Sequence, residues 1–280
     1  MRPSTLCHVL VNRTIRRHST RPGQILAFAR CRNEALRLPA LLRHYHASLR
    51  TLTHFFERRG YEALSCVLLD LYPAGRLDEC VYQPGDDLLS AAPYFDPGPY
   101  ETAPVDLCPG VVIRGGMRAR VFYPQFQTRG TGRKIYDALL DRAALRAPVL
   151  RDTPWLRARR RRNPPCLTKV PLVHWNERSE YLTSIHWVSP KIVAPETGAL
   201  LHFKFLHDFS DRAFQEAARG EYYDGASEYR KYATTLGERR HMNLTYEGST
   251  RFEGTTQLAR VGIIHDTDVW ADARAPRPVH

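Results

Sequence analysis

The stretch LSCVLLDLY, residues 64–72, decides the reading of the fold. It is an almost unbroken apolar run of strand length with one charge, Asp70, near its end. A strand that is apolar on both faces belongs inside a sheet covered by helices. Upstream, QILAFA at residues 24–29 has the same character. Between the two runs the period changes: Leu38, Leu41, Leu42, Tyr45 and Leu49 recur on one helical face, with Pro39 in the first turn. A second helix is expected over residues 51–59, with Gly60 as its stop. Strand, helix, helix, strand implies an α/β layer arrangement.

Residues 84–110, rich in Pro, Gly and Asp, read as a long loop, followed by short strands at 111–113 and 119–123 and a helix at 133–146. The arginine run 157–162, closed by Asn163-Pro164-Pro165, reads as a basic loop that is either a solvated charge run or a phosphate or nucleic-acid contact. Runs at 167–175, 181–188 and 199–206 are strand-like. Helices at 211–219, with Asp211 capping its own start, and at 226–236, where Tyr229 and Tyr232 share a face, close the pattern. The expected organisation is a basic, disordered leader over 1–23, one α/β domain over 24–265 and a flexible tail over 266–280. Residues 1–33 carry several arginines and no acid, which also matches a mitochondrial presequence.

The chain has 280 residues, 43% of them hydrophobic, with 41 Lys plus Arg against 29 Asp plus Glu and a formal charge of +12. That excess favours phosphate-bearing partners: a nucleotide-sugar, a nucleic acid or an anionic membrane surface. The six cysteines (Cys7, Cys31, Cys66, Cys80, Cys108, Cys166) show no C-x-x-C spacing, which argues against zinc and a disulfide framework and for a reducing, cytoplasmic compartment. No stretch is long and apolar enough to read as a membrane-crossing helix.

Charges inside apolar runs need a partner or a cavity. Asp70 is therefore a candidate general base, and Lys169 a candidate phosphate contact or the partner of an internal carboxylate. His202 and Lys204 alternate with Leu201, Phe203 and Phe205, so in a strand both emerge on one face. His186, in SIHW, is a candidate substrate contact. Arg114, Gly115, Gly116, Arg118 and Arg120 combine a diglycine with three guanidiniums, suited to phosphate or carbohydrate, or to a plain glycine turn flanked by solvated arginines. Asn33 and Glu34 follow the first strand, where open α/β sheets bind ligands, although Asn33 also suits a helix cap.

Six blocks in order, ILAFARCRNEALRLPALLRHYHASL (25–49), VLLDLYPAGRL (67–77), IRGGMRARVF (113–122), CLTKVPLVHW (166–175), ALLHFKFL (199–206) and EYRKYATTL (228–236), resemble bacterial glycosyltransferase family 2-like proteins of the GT-A type. The resemblance implies a Rossmann-like nucleotide-diphospho-sugar transferase fold, a mixed sheet flanked by helices. It also implies transfer of a sugar from a nucleotide-diphosphate donor to a hydroxyl of a polysaccharide or lipid-linked acceptor, in the cytoplasm or peripheral to the inner membrane. By the same resemblance Arg32, Asn33 and Glu34 lie near the nucleotide and Lys204 faces phosphate; Arg114, Arg118, Lys169 and His186 join them as nucleotide-sugar-binding candidates on their own chemistry. His202 would complete the shell of a divalent cation, Mn2+ or Mg2+. The chain departs from that pattern at one place. Residues 35–63 alone separate Glu34 from the LLDLYP strand, so the segment bearing the family's Asp-x-Asp motif is missing, and the only literal match left is Asp266-Thr267-Asp268. The expectation is a reduced GT-A-like sheet with weak metal affinity and activity diminished or lost. The alternative is a non-catalytic, degenerate member acting as a binding or assembly partner. Nucleic acid is the least expected partner, because no nucleic-acid-binding motif accompanies the charge.

Overall fold

The computed structural model of the chain describes residues 49–83, 85–104, 111–146, 153–180, 186, 188–189, 192–239 and 241–265. Helix α1 (Leu49–Arg59) ends at Gly60, whose φ of 69° supplies the left-handed turn expected of a helix stop. The chain then enters β1 (Ala63–Asp70), the apolar run that the sequence placed at 64–72. After a short 3₁₀ turn (Leu77–Glu79) come helix α2 (Leu88–Ala91), whose N-cap Asp87 accepts from the amides of Leu89 and Ser90, and strands β2 (Tyr94–Phe95) and β3 (Tyr100–Pro104). The stretch read as one long loop therefore carries a cap, a helical turn and two strands. Strand β4 (Val111–Gly115) pairs antiparallel with β3.

Residues 119–123, expected as strand, fall instead in helix α3 (Gly116–Phe122) and the residue after it. The cause is the diglycine. Gly115 and Gly116 have φ of 148° and 61°, and a Cβ on Gly115 would stand 2.3 Å from the Pro99 carbonyl oxygen while one on Gly116 would stand 2.7 Å from the Tyr100 hydroxyl. Only glycine lets the chain turn from β4 into a helix this close to Tyr100.

Helices α4 (Pro124–Gln127), α5 (Thr131–Arg146) and α6 (Pro154–Arg160) follow. Most of the arginine run is thus helical rather than loop: Pro154 occupies the first turn, and arginine is a good helix former whose charge says nothing against a helix. Strand β5 (Thr168–Val173) pairs antiparallel with β1, and β6 (Val193–His202) pairs parallel with it, giving a three-stranded mixed sheet in the order β5-β1-β6. β6 begins earlier than the run at 199–206 and stops at His202, leaving Phe203, Phe205 and Leu206 to pack in the core rather than in a strand.

Helix α7 (Phe209–Arg219) starts two residues before the expected cap, so Asp211 lies inside its first turn and caps nothing. Helix α8 (Tyr223–Glu238) passes through left-handed residues at Asp224, Gly225 and Ala226 and is regular only beyond them, close to the expected 226–236. Strand β7 (Thr250–Arg251), paired with β2, and helix α9 (Thr255–Arg260) complete the described elements. The protein is therefore mixed α/β, a small mixed sheet with helices around it. One core gathers Phe122, Phe205, Phe209 and Tyr232, whose ring centroids lie 4.5 to 6.3 Å apart, and fixes α3, α7 and α8 against the end of β6. The expected strand at 24–29, the Arg32-Asn33-Glu34 turn, most of the run at 181–188 and the Asp266–Asp268 pair lie outside the described residues.

Candidate functional site

Asp70 is the last residue of β1 and His202 the last of β6, and the parallel register sets them side by side. The even spacing from Cys66 and Gly198, which also face each other, puts both on one face of the sheet. Buried Asp70 is met by Arg118 of α3: the guanidinium Nε donates to Oδ2 at 2.8 Å and Nη2 to Oδ1 at 2.6 Å. This fork is the partner that a charge inside an apolar strand requires. Burial pushes the Asp70 carboxyl up, but the Arg118 guanidinium and the bond from His202 outweigh it and hold its pKa well below the usual carboxylate range.

His202 Nδ1 lies 2.6 Å from the same Oδ1. Arg118 Nη2, a donor, lies 3.1 Å from the same nitrogen, but the carboxylate is the closer partner and only accepts, so Nδ1 carries the proton and Nε2 keeps the lone pair. Burial lowers the imidazole pKa despite the neighbouring carboxylate, so the ring is neutral near pH 7.

Lys204, two residues on, is buried between aromatic faces, its Nζ 4.4 Å from the Tyr229 centroid and 4.5 Å from that of Tyr232. It donates to Glu228 Oε1 at 3.2 Å, where Tyr232 also donates and Arg118 Nη1 approaches to 3.5 Å. Burial drives the Lys204 amine down to about 8, while Lys204 and Arg118 overcome the burial of Glu228 and hold that carboxyl at about 2. His202 and Glu228 are partly enclosed by the cluster, and 31% and 32% of their side chains remain in contact with solvent, so both can be reached from outside.

Lys169 and His186 form a second pair beside the first. Lys169 Nζ lies 2.9 Å from His186 Nε2, and His186 Nδ1 donates to the Thr168 carbonyl at 2.7 Å. Burial and the adjacent ammonium lower the His186 pKa to about 4, and the charges of Glu228 and Arg118 also act on it. His186 is therefore a neutral acceptor for Lys169. The structure thus brings together Asp70, Arg118, Lys169, His186, His202 and Lys204 from the residues expected in the site. Arg114 stands on β4 in register with Glu101, ahead of the diglycine turn that carries Arg118 inward. Arg120, on the other side of α3, forks onto a second buried carboxylate, Asp96, at 2.9 and 3.0 Å and donates to the Leu244 carbonyl at 2.7 Å; Tyr72 also donates to Asp96. Arg118 and Arg120 thus clamp one short helix from both sides.

Glu228 and Tyr232 were missed by sequence reasoning. Their signal was the i, i+4 spacing that puts Glu228 on the face of Tyr232, hidden by the surrounding Asp, Arg and Lys of the same helix.

A divalent cation does not fit the residues here. Mn2+ and Mg2+ take several hard oxygens, whereas both Asp70 oxygens are engaged by Arg118 and the Glu228 carboxylate is held by Lys204 and Tyr232. Among the described residues, no group of three or more His, Cys, Asp and Glu could hold a metal ion, and no helix is long and apolar enough to cross a membrane. No protein-family model matches the chain, and neither does any curated protein or solved structure.

Proposed function

We propose that the chain is a reduced glycosyltransferase family 2-like protein of the GT-A type, whose cleft at the ends of β1 and β6 binds a nucleotide-sugar through cationic side chains and turns it over slowly or not at all. The observation that carries this reading is the convergence of Asp70, His202, Arg118, Lys204 and Glu228 at the carboxyl ends of two parallel neighbouring strands. Open α/β sheets bind ligands in that crevice. Lys204 meets the diphosphate, and Lys169 extends the positive lining from β5. His202, with its Nε2 lone pair, takes the proton of an acceptor hydroxyl, and Asp70 orients the ring and balances the imidazolium that forms. This moves the proton-accepting role from Asp70 to His202, because a carboxylate held by a guanidinium fork is a poor base.

In the family resembled, a divalent cation would supply several kcal/mol of charge stabilisation at the leaving diphosphate, and each 1.36 kcal/mol is tenfold in rate, so side chains alone should leave transfer roughly a thousandfold slower. The test is calorimetry with a panel of nucleoside diphosphates and nucleotide-sugars in EDTA, beside a donor-hydrolysis and transfer assay with and without Mn2+. Binding weakened at least tenfold by Lys204→Met is the expected result. Robust turnover abolished by EDTA would overturn the metal-free reading. Binding of no nucleotide would leave the non-catalytic partner in its place.

A further inference from the structure

The helices α5 and α6 carry a feature that the cleft does not use. Ile135 and Leu139, one turn apart on α5, are each 57% exposed, and Trp155 at the start of α6 is 58% exposed. Tyr136 joins them, because the Arg159 guanidinium lies 4.1 Å from its ring centroid and 5.8 Å from that of Trp155, linking the two helices across the patch. The same stretch holds most of the chain's charge. Residues 129–162 contain 11 Lys plus Arg against 3 Asp plus Glu, a net +8 of the total +12. Of the three acids, Asp137 is buried and neutralised by Arg159 at 2.9 Å and Arg133 at 3.3 Å. Arg133 and Lys134 precede Ile135 and are exposed, as are Arg157, Arg161 and Arg162 around the end of α6; two of these cations are paired with acids from elsewhere in the chain, Lys134 with Glu101 at 3.1 Å and Arg161 with Asp224 at 2.6 Å.

From this juxtaposition we infer that the α5–α6 face is a docking surface for an anionic lipid bilayer. Exposed apolar side chains cost free energy in water unless something covers them, and a cluster of them ringed by cations marks an interaction site. The composition selects the occupant. Aliphatic side chains enter the acyl boundary, tryptophan and tyrosine sit at headgroup level, and arginines lay their stems over the apolar surface with their charges toward lipid phosphate. A single-stranded nucleic acid would use the aromatics and the cations, but it has no use for Ile135 and Leu139, which cannot stack on a base. Each cation near an anionic leaflet adds roughly fivefold to binding at low salt. The inference stands apart from the nucleotide-sugar reading, since no residue of the cleft takes part.

The experiment is co-sedimentation of the full chain with vesicles of phosphatidylcholine alone, and of phosphatidylcholine with one-third phosphatidylglycerol, at low and high salt. Binding to the anionic vesicles only, weakened by salt, is expected. The double substitution Ile135→Glu/Leu139→Glu, at two residues each 57% exposed, should weaken that binding at least about tenfold with the melting curve unchanged. A blue shift of tryptophan emission on vesicles should shrink in Trp155→Ala, which decides the matter should the double variant misfold. Equal binding to both vesicles, or anionic binding indifferent to both variants, would overturn the inference. So would patch-dependent binding of single-stranded RNA without vesicle binding, or patch-dependent self-association without it.

Discussion

The Arg118–Asp70 fork is the place where one substitution should do most damage. Arg118→Met keeps the length and the apolar stem of the side chain and removes only the guanidinium. Asp70 is left buried at the end of a central strand, with His202 as its remaining partner. Breaking a buried pair from one side costs about 3–5 kcal/mol, because the other charge stays desolvated, and a domain of this kind has only about 5–15 kcal/mol in total. Removing both charges together should cost far less, so Asp70→Asn/Arg118→Met should recover at least about 2 kcal/mol of the single-variant loss. The pH dependence gives an independent check. In the native protein the Asp70 pKa is depressed, so its contribution is present above the unfolded value near 4 and is lost as pH falls through the folded one. In Arg118→Met the guanidinium that most opposes burial is gone and only His202 is left against it, so the carboxyl should rise, acidification should let it protonate, and the deficit against the native protein should narrow as pH falls from 7 to 5. Urea unfolding at several pH values measures both effects. A single-variant loss under about 1 kcal/mol, or a deficit constant with pH, would refute the argument that this pair holds the end of β1.

Other perturbations test other parts of the structure. Gly115→Ala places a Cβ 2.3 Å from a backbone oxygen at a φ of 148° and should cost at least about 2 kcal/mol, whereas Gly130→Ala, with nothing within 4 Å, should be near neutral by thermal melts. Phe205→Ala empties the middle of the aromatic cluster and should cost about 3–5 kcal/mol in urea; a smaller loss would show that the cluster collapses around the gap. The Lys204 amine is lowered to about 8 in the folded protein and titrates near 10.4 when unfolded, so the unfolded chain holds the extra proton between these values. Stability should therefore gain from Lys204 as pH rises from 8 to 9.5, by at most about 1.4 kcal/mol per unit, and Lys204→Met should lack that gain; identical slopes would remove the buried amine from the account.

The fold was legible where one element states its own character. The apolar run at 64–72, the helix stop at Gly60 and the helix over 133–146 need no distant partner to be read, and each is present. The short runs were not. RVFY has the look of a strand, but the conformation of residues 119–123 is decided by the two glycines before them and by Tyr100, to which Gly116 must lie close. The arginine run was read from charge, which does not distinguish loop from helix. In the site, Asp70, Lys169, His202 and Lys204 announced themselves as charges in apolar surroundings, whereas Glu228 lay among charges of a helix and carried no such contrast. The pairing of Asp70 with His202, across 132 positions of sequence, is a consequence of parallel register, which no local pattern encodes.

The geometry divides the cluster into a part that is fixed and a part that can yield. Arg118 and Asp70 are buried and joined by two short, parallel bonds of 2.6 and 2.8 Å, and His202 hangs on the same carboxylate. No ligand oxygen competes well for a guanidinium already satisfied in that way, so this half serves to place the imidazole. Lys204 and Glu228 are joined by one longer bond of 3.2 Å, and Glu228 retains solvent on a third of its side chain. On the proposed reading, an incoming phosphate oxygen would exchange one anionic partner of Lys204 for another, while Glu228 stays bonded to Tyr232 and beside Arg118. A diphosphate entering this cleft would thus be met by Lys204 while His202 stays fixed beside it, an order that depends on the difference between a fork with two bonds and a point charge with one.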